Sequence, residues 1–333
     1  MRFLLLSDTH GKLGIINELA AEAEADAVIH AGDFGFYDEG SYERVSEREL
    51  RLHITHSDLE PGQKTEMLGL DHEKKAAACR ETCPLSDLPM YIDGRLRFEI
   101  PVYAVWGNHE DRNVVEGFVR GDLEVENLHL LTHRTAYRVG PALVYGLGGN
   151  FLPGSKLLQK PIAGAAGRVW STLSQYVDLI QAIDGQEDQS GTRIFVSHVS
   201  PGKEPFVEFI GARTSAEFTV SGHMGAPYPM VWNPFAVRSI EDASRRLQRG
   251  ILETKQSCIE ARGSETAKLE QAFSVIDRIP ETEARLGRGV KVPRWYCKMS
   301  HISLPDADIG YAVLDLAKEG SRIHTAVLPG GYT

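Results

Sequence analysis

Residues 102–111 read "VYAVWGNHED". The stretch opens as an apolar β-strand and stops abruptly in Asn108, His109, Glu110 and Asp111, directly behind Gly107. A strand that only packs has no use for such a cluster, because burying polar groups without partners costs free energy. Either these groups are stray, or other strands of the chain end in the same way.

Other strands do. "LLLSDTHG" supplies Asp8 and His10, "VIHAGDFG" supplies Asp33, "IFVSHVSPG" supplies His198 and "FTVSGHMG" supplies His223. Gly11, Gly32, Gly107 and Gly222 stand beside them, which suits sharp turns and close backbone approach. In α/β sheets, functional groups collect beyond the carboxyl ends of the strands. Carboxylates, an Asn amide oxygen and imidazoles, without thiolates, suit divalent ions such as Mn²⁺, Fe²⁺ or Zn²⁺. A lone buried His is more often a hydrogen-bonded structural group, and His30 within "VIHAGD" reads that way. Six such residues on five apolar strands are hard to explain by packing alone. No Lys or Arg lies within these quoted motif stretches, so a cation is the simplest compensation for the buried charge.

Around these motifs the chain alternates strand and helix. "RFLLLSD", "DAVIHAGD" and "VYAVWGN" are buried runs, and "LGIINELAAEAEA" between the first two has helical spacing. "NLHLLT", "AYRVGPALVYGLGG", "TRIFVSHVS", "EFTVSGHM", "IGYAVLDL" and "RIHTAVL" continue the series. Strands without polar alternation predict sheets covered on both faces by helices. Two stretches break the rhythm, and both read as insertions forming a cap over one edge of the sheet. Residues 37–95 carry mixed charge and helical patches, and residues 226–296 carry Pro-rich "GAPYPMVWNP" followed by two amphipathic helices. The first of these helices starts after Ser239 with Asp242 as a capping signature, and presents Ile240, Ala243, Leu247 and Ile251 on one side. The second presents Leu269, Ala272, Phe273 and Ile276.

Bulk composition excludes some functions. With 333 residues the chain can bury a large core, and its 42% apolar and 25% charged content is ordinary for a folded protein. The formal net charge of -10 argues against a broad nucleic-acid footprint, while leaving a nucleotide or a short strand end open. No window has the apolar length of a membrane span and no signal peptide is visible, so a cytoplasmic protein is expected. Cys79, Cys83, Cys258 and Cys297 follow no strong disulfide or zinc spacing and are expected to be reduced structural thiols. Oligomeric state is not written in the chain.

The ordered set "DTH", "GD", "GNHE", "SH" and "GHM", spread over residues 1–225, resembles the calcineurin-like metallophosphoesterase superfamily. The resemblance implies a four-layer αββα sandwich of the metallo-dependent phosphatase type, one domain over 1–333, holding two divalent metal ions, with Mn²⁺ favoured. By the same resemblance, Asp8 and His10 bind the first metal, Asp33 bridges both, and Asn108, His198 and His223 hold the second. His109 matches the catalytic His that supports the phosphoryl oxygens or protonates the leaving group. A hydroxide bridging the metals would then attack a phosphate ester in line. The chain departs from the pattern at "GHMG", where Gly225 replaces a second His that binds the first metal. His301 in "MSHIS" is a candidate replacement. The favoured activity is a phosphodiesterase on a small or nucleotide-like substrate. The alternatives are a phosphomonoesterase or protein phosphatase, or a phosphate-binding regulatory module that has lost catalysis.

Other polar residues have plainer readings. Arg44, Arg48 and Arg51 are interleaved with Glu43, Glu47 and Glu49, which predicts a solvated, salt-bridged helix face. Glu110 and Asp111 either orient the catalytic centre or favour a helix N-terminus. "LPGSKLLQKPIAGAAGR" (152–168) reads as a loop bordering the substrate pocket, with Lys156, Lys160 and Arg168, and Lys203 lies close enough to His198 to reach a phosphate.

Overall fold

The computed structural model describes residues 1–151, 162–188, 190–201, 203–223, 225, 228–233, 239–261, 266–276, 283–286, 290–293, 299–317 and 320–329. The first third runs β1 (Arg2–Leu6), α1 (Gly14–Glu22), β2 (Ala27–His30), α2 (Glu47–His56), α3 (Pro61–Leu68), α4 (His72–Thr82), α5 (Leu88–Ile92) and β3 (Val102–Ala104). It continues through α6 (Arg112–Arg120), β4 (Leu128–Leu130), β5 (Tyr137–Val139), β6 (Ala142–Leu147), β7 (Asn150–Phe151), β8 (Ile162–Ala165) and β9 (Arg168–Ser171). Then come α7 (Leu173–Asp184), β10 (Thr192–Ser197), α8 (Pro205–Thr214), β11 (Phe218–Ser221), β12 (Met230–Trp232), α9 (Ile240–Ala261) and α10 (Thr266–Ile276). The chain closes with β13 (Glu283–Leu286), β14 (Val290–Pro293), β15 (Ser300–Ser303), β16 (Gly310–Ala317) and β17 (Gly320–Val327).

Two six-stranded sheets organise these elements, in the orders β17-β16-β1-β2-β3-β4 and β12-β15-β11-β10-β6-β5. In the first, β1, β2, β3 and β4 are parallel, and β16 and β17 add antiparallel strands at one side. In the second, β6, β10, β11 and β15 are parallel, flanked by antiparallel β5 and β12. Alternation along β1 shows how the layers form. Phe3 and Leu5 share a core with Val144, Val196 and Val220 of the other sheet, so this is the seam between sheets. Leu4 and Leu6 face the other way, into a core with Ile16 and Leu19 of α1 and Val114 of α6. On the far side, Tyr145 and Phe195 share a third core with Tyr176, Phe206, Leu247 and Phe273 from α7, α8, α9 and α10. Three cores separate four layers, and the fold is the αββα sandwich of metallo-dependent phosphatases. Strands buried on both faces explain the uninterrupted apolar runs.

The two interruptions of the sequence pattern fold differently from each other. Residues 37–95 form α2 to α5 with a small core of their own, in which Leu50, Ile54, Met67, Cys79 and Leu85 are buried. In residues 226–296, β12 pairs with β15 at the edge of the second sheet. Helices α9 and α10 pack on α8 and α7 and complete an outer layer, because their apolar faces meet the third core. The N-terminus of α9 is capped as expected, Ser239 Oγ accepting the Asp242 N–H at 3.2 Å.

The loops after β2 and β3 are tied together by one side chain. Glu110 is fully buried and accepts the backbone N–H groups of Phe34 (2.8 Å), Gly35 (3.1 Å), Phe36 (2.6 Å) and Gly107 (3.2 Å). Burial and the charge of Asp33 push its carboxyl up to about 8, while those N–H donors pull it down. Asp111, next to it, is the N-cap of α6 and accepts the Asn113 N–H at 3.0 Å. Glu110 therefore braces the loops that carry Asp33 and Asn108 and contributes nothing to a helix terminus. Replacing it (Glu110→Ala) leaves buried N–H groups unpaired, and should lower the unfolding free energy by about 3 kcal/mol in urea denaturation. An unchanged midpoint would contradict this role.

Candidate metal centre and active site

Because the strands of each sheet that carry the motifs are parallel, their carboxyl ends reach one edge together. Asp8 follows β1, Asp33 follows β2, Asn108 follows β3, His198 follows β10 and His223 follows β11. Their donor atoms form two overlapping groups. Ligand atoms of Asp8, His10 and Asp33 all lie within 4.8 Å of one another, as do those of Asp33, His198 and His223. Asn108 joins the second group, with His198 Nε2 at 2.9 Å from its Oδ1. All six sequence-predicted ligands thus come together, and Asp33 belongs to both groups.

The backbone is bent to achieve this. Asp8 (φ 54°), His10 (φ 47°), Asp33 (φ 49°) and His223 (φ 56°) all adopt the left-handed region that non-glycine residues seldom occupy. Such strain persists where the surroundings over-determine it, which is typical of functional sites. Close approach does the rest: a Cβ on Gly107 would collide with the Asp33 carboxylate and backbone, and one on Gly222 with Ser7 and Asp8.

Among the described residues no Lys or Arg pairs with the carboxylates of the cluster, whose ionic neighbours are imidazoles. Asp8 and Asp33 are buried, with 7% and 2% of their surface exposed. Burial and the charge of Asp33 push the Asp8 carboxyl up. Burial opposes ionisation of Asp33 too, but the charges of His198, His10 and His109 outweigh it and hold that carboxyl below the usual range. His198 Nδ1 lies 2.9 Å from the Ala31 carbonyl oxygen, to which it donates. In a neutral imidazole, Nε2 then offers a lone pair toward Asn108 Oδ1 and, at 3.5 Å, toward Asp33 Oδ1. Asn150 Nδ2 donates to Asn108 Oδ1 at 3.0 Å, which fixes the amide with its oxygen facing the cluster. Burial, reinforced by the charge of His198, lowers His223 to about 4, which favours the neutral ring with one nitrogen lone pair. Carboxylate, amide and imidazole acceptors gathered in this way, with no Lys or Arg among the described residues to meet them, fit a bound dication.

His109 lies beside this cluster, its backbone N–H donating to Asp33 Oδ1 at 2.8 Å. Its ring is held by a residue that the sequence reading placed on a solvated face. Glu49 is buried, its Oε2 lies 2.7 Å from His109 Nδ1, and its Oε1 accepts from Arg168 Nε at 2.6 Å. Burial would raise the Glu49 carboxyl, but His109 and Arg168 together hold it down. Burial likewise works against a charged His109, and Glu49 and Asp33 overcome it, raising its pKa. Of the neighbouring arginines, Arg44 binds Asp111 and Asp38, whereas Arg51 sits half-exposed beside Glu47 in the expected manner. Arg168 borders the site from β9, which is anchored by the Val169 N–H donating to the Asn108 carbonyl at 3.1 Å. Lys156 and Lys160 lie outside the described residues. Lys203 Nζ donates to the His223 carbonyl at 2.8 Å and so braces that loop.

His301 is not the replacement for the imidazole absent at Gly225. It lies in β15, fully buried, with Nδ1 2.7 Å from Thr219 Oγ1 and Nε2 3.0 Å from Ser221 Oγ. Both ring nitrogens are engaged, so none is left for a metal. His30 is buried as expected, with Nε2 3.1 Å from Thr9 Oγ1. Asp306 was missed: it lies in the cavity wall near Asp8, and burial and the Asp8 charge raise it to about 6. Among the described residues no helix is long and apolar enough to cross a membrane.

A family model described as calcineurin-like phosphoesterase matches residues 1–227. The chain belongs to this family and is a metal-dependent hydrolase of phosphate esters. Two similar solved structures are TT1561 of Thermus thermophilus and a dimetal phosphatase from Danio rerio. Each is 10% identical, with 98% of both chains covered and TM-scores of 0.45 and 0.38. No curated protein sequence matches the chain.

Two outcomes follow. Glu49→Ala should lower kcat about 10–100-fold by releasing His109, with little change in KM for a chromogenic ester; an unchanged kcat would show that the contact is idle. For His301, burial lowers the pKa from 6.5 to about 3, so between these values the unfolded chain binds a proton that the folded chain does not. Stability therefore falls on acidification through that window. On lowering pH by one unit from about pH 6, His301→Gln should lose about 1 kcal/mol less unfolding free energy than the parent. Equal losses in urea titrations would contradict a neutral buried imidazole.

Proposed function

We propose that the protein hydrolyses a small phosphodiester, nucleotide-like in size, with Mn²⁺ as the favoured metal and Fe²⁺ or Zn²⁺ as substitutes. In this reading Asp8 and His10 hold the first cation, Asp33 touches both, and Asn108, His198 and His223 hold the second. The observation that carries it is the pair of donor groups sharing Asp33, whose buried carboxylates meet no Lys or Arg among the described residues. Bound there, two divalent ions would offset the charge of the phosphoryl oxygens and make a water more acidic.

The chain's own residues do the rest. With Nδ1 held by Glu49, His109 keeps Nε2 for the cavity that it lines. A raised His109 pKa favours the protonated ring, which can donate to a phosphoryl oxygen or to the departing alcohol. Arg168 neutralises Glu49 and so keeps the carboxylate oriented without adding charge at the reacting phosphate. Gly225 lies in the cavity wall with open space where a side chain would stand, and would itself supply no side-chain ligand to a cation held there. The intact His109 and six donor residues favour hydrolysis over a binding-only role. The reading places the protein in the cytoplasm, in keeping with Cys79, Cys83 and Cys258, which are free thiols.

The test compares a chromogenic diester with the matching monoester, in Mn²⁺, in chelator and in His109→Ala. The expected result is diester turnover that exceeds monoester turnover, vanishes with chelator, and drops by about 10²–10⁴-fold in His109→Ala. Turnover that survives both treatments would remove the assignment. Faster turnover of the monoester would replace the diester preference while leaving the metal and His109 roles in place.

A further inference from the structure

We infer that the cavity over the metal centre selects esters whose alcohol portion is bulky, apolar and free of negative charge; this rests on the hydrolytic reading above. The cavity has a volume of about 910 Å³, and Asp8, Asp33 and His109 lie in its wall beside residues of α2 and the loop after it. That size is at the upper end of small-ligand pockets, and a phosphate with a short alkyl group would leave most of it unfilled. The chemistry of the wall decides what fills the remainder. Leu52, Leu59 and Leu85 come from the 37–95 segment, Ile15 from α1 and Ile309 from the loop between β15 and β16.

Charge sets the second limit. Asp58, Asp87 and Asp308 line the same space, with Asp306 beside Asp8. Lys12 is the single Lys or Arg among the described lining residues, and its Nζ is already 2.6 Å from Asp58. His53 and His56 also line it, and His53 Nε2 lies 2.8 Å from the Cys83 carbonyl oxygen. The wall is also fixed in place: Asp87 accepts the Leu13 N–H at 3.1 Å, which joins the loop before α5 to the start of α1. A second phosphate or a carboxylate on the alcohol would therefore sit among carboxylates, with no free Lys or Arg among the described lining residues to meet it. Nucleoside di- and triphosphates and polynucleotide chains are disfavoured on this ground. An uncharged aromatic or nucleoside-like group is accepted. Since His109 lies in the wall of this space, it is the departing alcohol that occupies it.

The test uses three methyl umbelliferyl phosphodiesters that differ only at the ring 4-position: methyl, carboxymethyl and trimethylammoniomethyl. All are assayed with Mn²⁺ on the full chain. The inference expects kcat/KM for the carboxymethyl ester to be about tenfold or more below the methyl ester, with the cationic ester at least equal to it. Asp58→Asn combined with Asp308→Asn should bring the carboxymethyl-to-methyl ratio toward one; both side chains are exposed, so folding is not at risk. Leu52→Gln should lower kcat/KM for the methyl ester without restoring the carboxymethyl one. Equal kcat/KM for the three esters, or a ratio unmoved by the double substitution, overturns this selectivity and leaves the hydrolase assignment standing. Absence of metal-dependent turnover with all three overturns both.

Discussion

Two buried carboxylates that meet no Lys or Arg among the described residues dominate this molecule. Asp8 and Asp33 are buried at the ends of adjacent strands, among imidazole and amide acceptors. Ionised carboxylates cannot stay buried unless a cation meets them. Among the described residues none of the nearby lysines or arginines does so: Arg168 is spent on Glu49, Arg44 on Asp111 and Asp38, and Lys12 on Asp58. The rest of the architecture follows from bringing these groups together. Two parallel sets of strands deliver them to one edge, left-handed backbone at four site residues turns them inward, and Glu110 braces two of the loops.

That demand for charge also explains the division of labour around the centre. His198 and His223 come from one sheet, and Asp8, Asp33 and Asn108 from the other, so the site joins the layers of the sandwich. His109 stands one residue beyond Asn108 and is steered by a side chain from the 37–95 segment. Glu49 thereby links that segment to the reacting group, and Arg168 links it in turn to β9. The segment thus forms a wall of the cavity and also sets the orientation of the catalytic imidazole.

Much of this was legible in the sequence, for a physical reason. The six ligand candidates sit within a few residues of an apolar strand end, and strand ends in a covered parallel sheet are predictable places. The four layers follow from strands that are apolar on both faces. Glu49 was not legible. "SERELRLHI" has the alternating charge of a solvated helix face, and only the contact with His109, 60 residues away, reveals that Glu49 is buried. Asp306 follows the strand "SHIS" just as Asp33 follows "AVIH", so the same strand-end rule reaches it once β15 is recognised. His301 misled because a lone polar His beyond the insertion reads as a loop residue, whereas both hydroxyl partners on β11 hold it inside the sheet. The outward packing of α9 and α10 was hidden as well, since an amphipathic pattern states that a face is buried and not against what.

The most direct measurement is a Mn²⁺ titration followed by electron paramagnetic resonance, on the parent chain and on Asp33→Asn. Two ions per parent chain, with the spectrum of a spin-coupled pair, together with loss of that coupling in Asp33→Asn, is the outcome expected if both donor groups share this carboxylate. Isolated ions in the parent, or a coupled pair that persists without the Asp33 carboxylate, would contradict it.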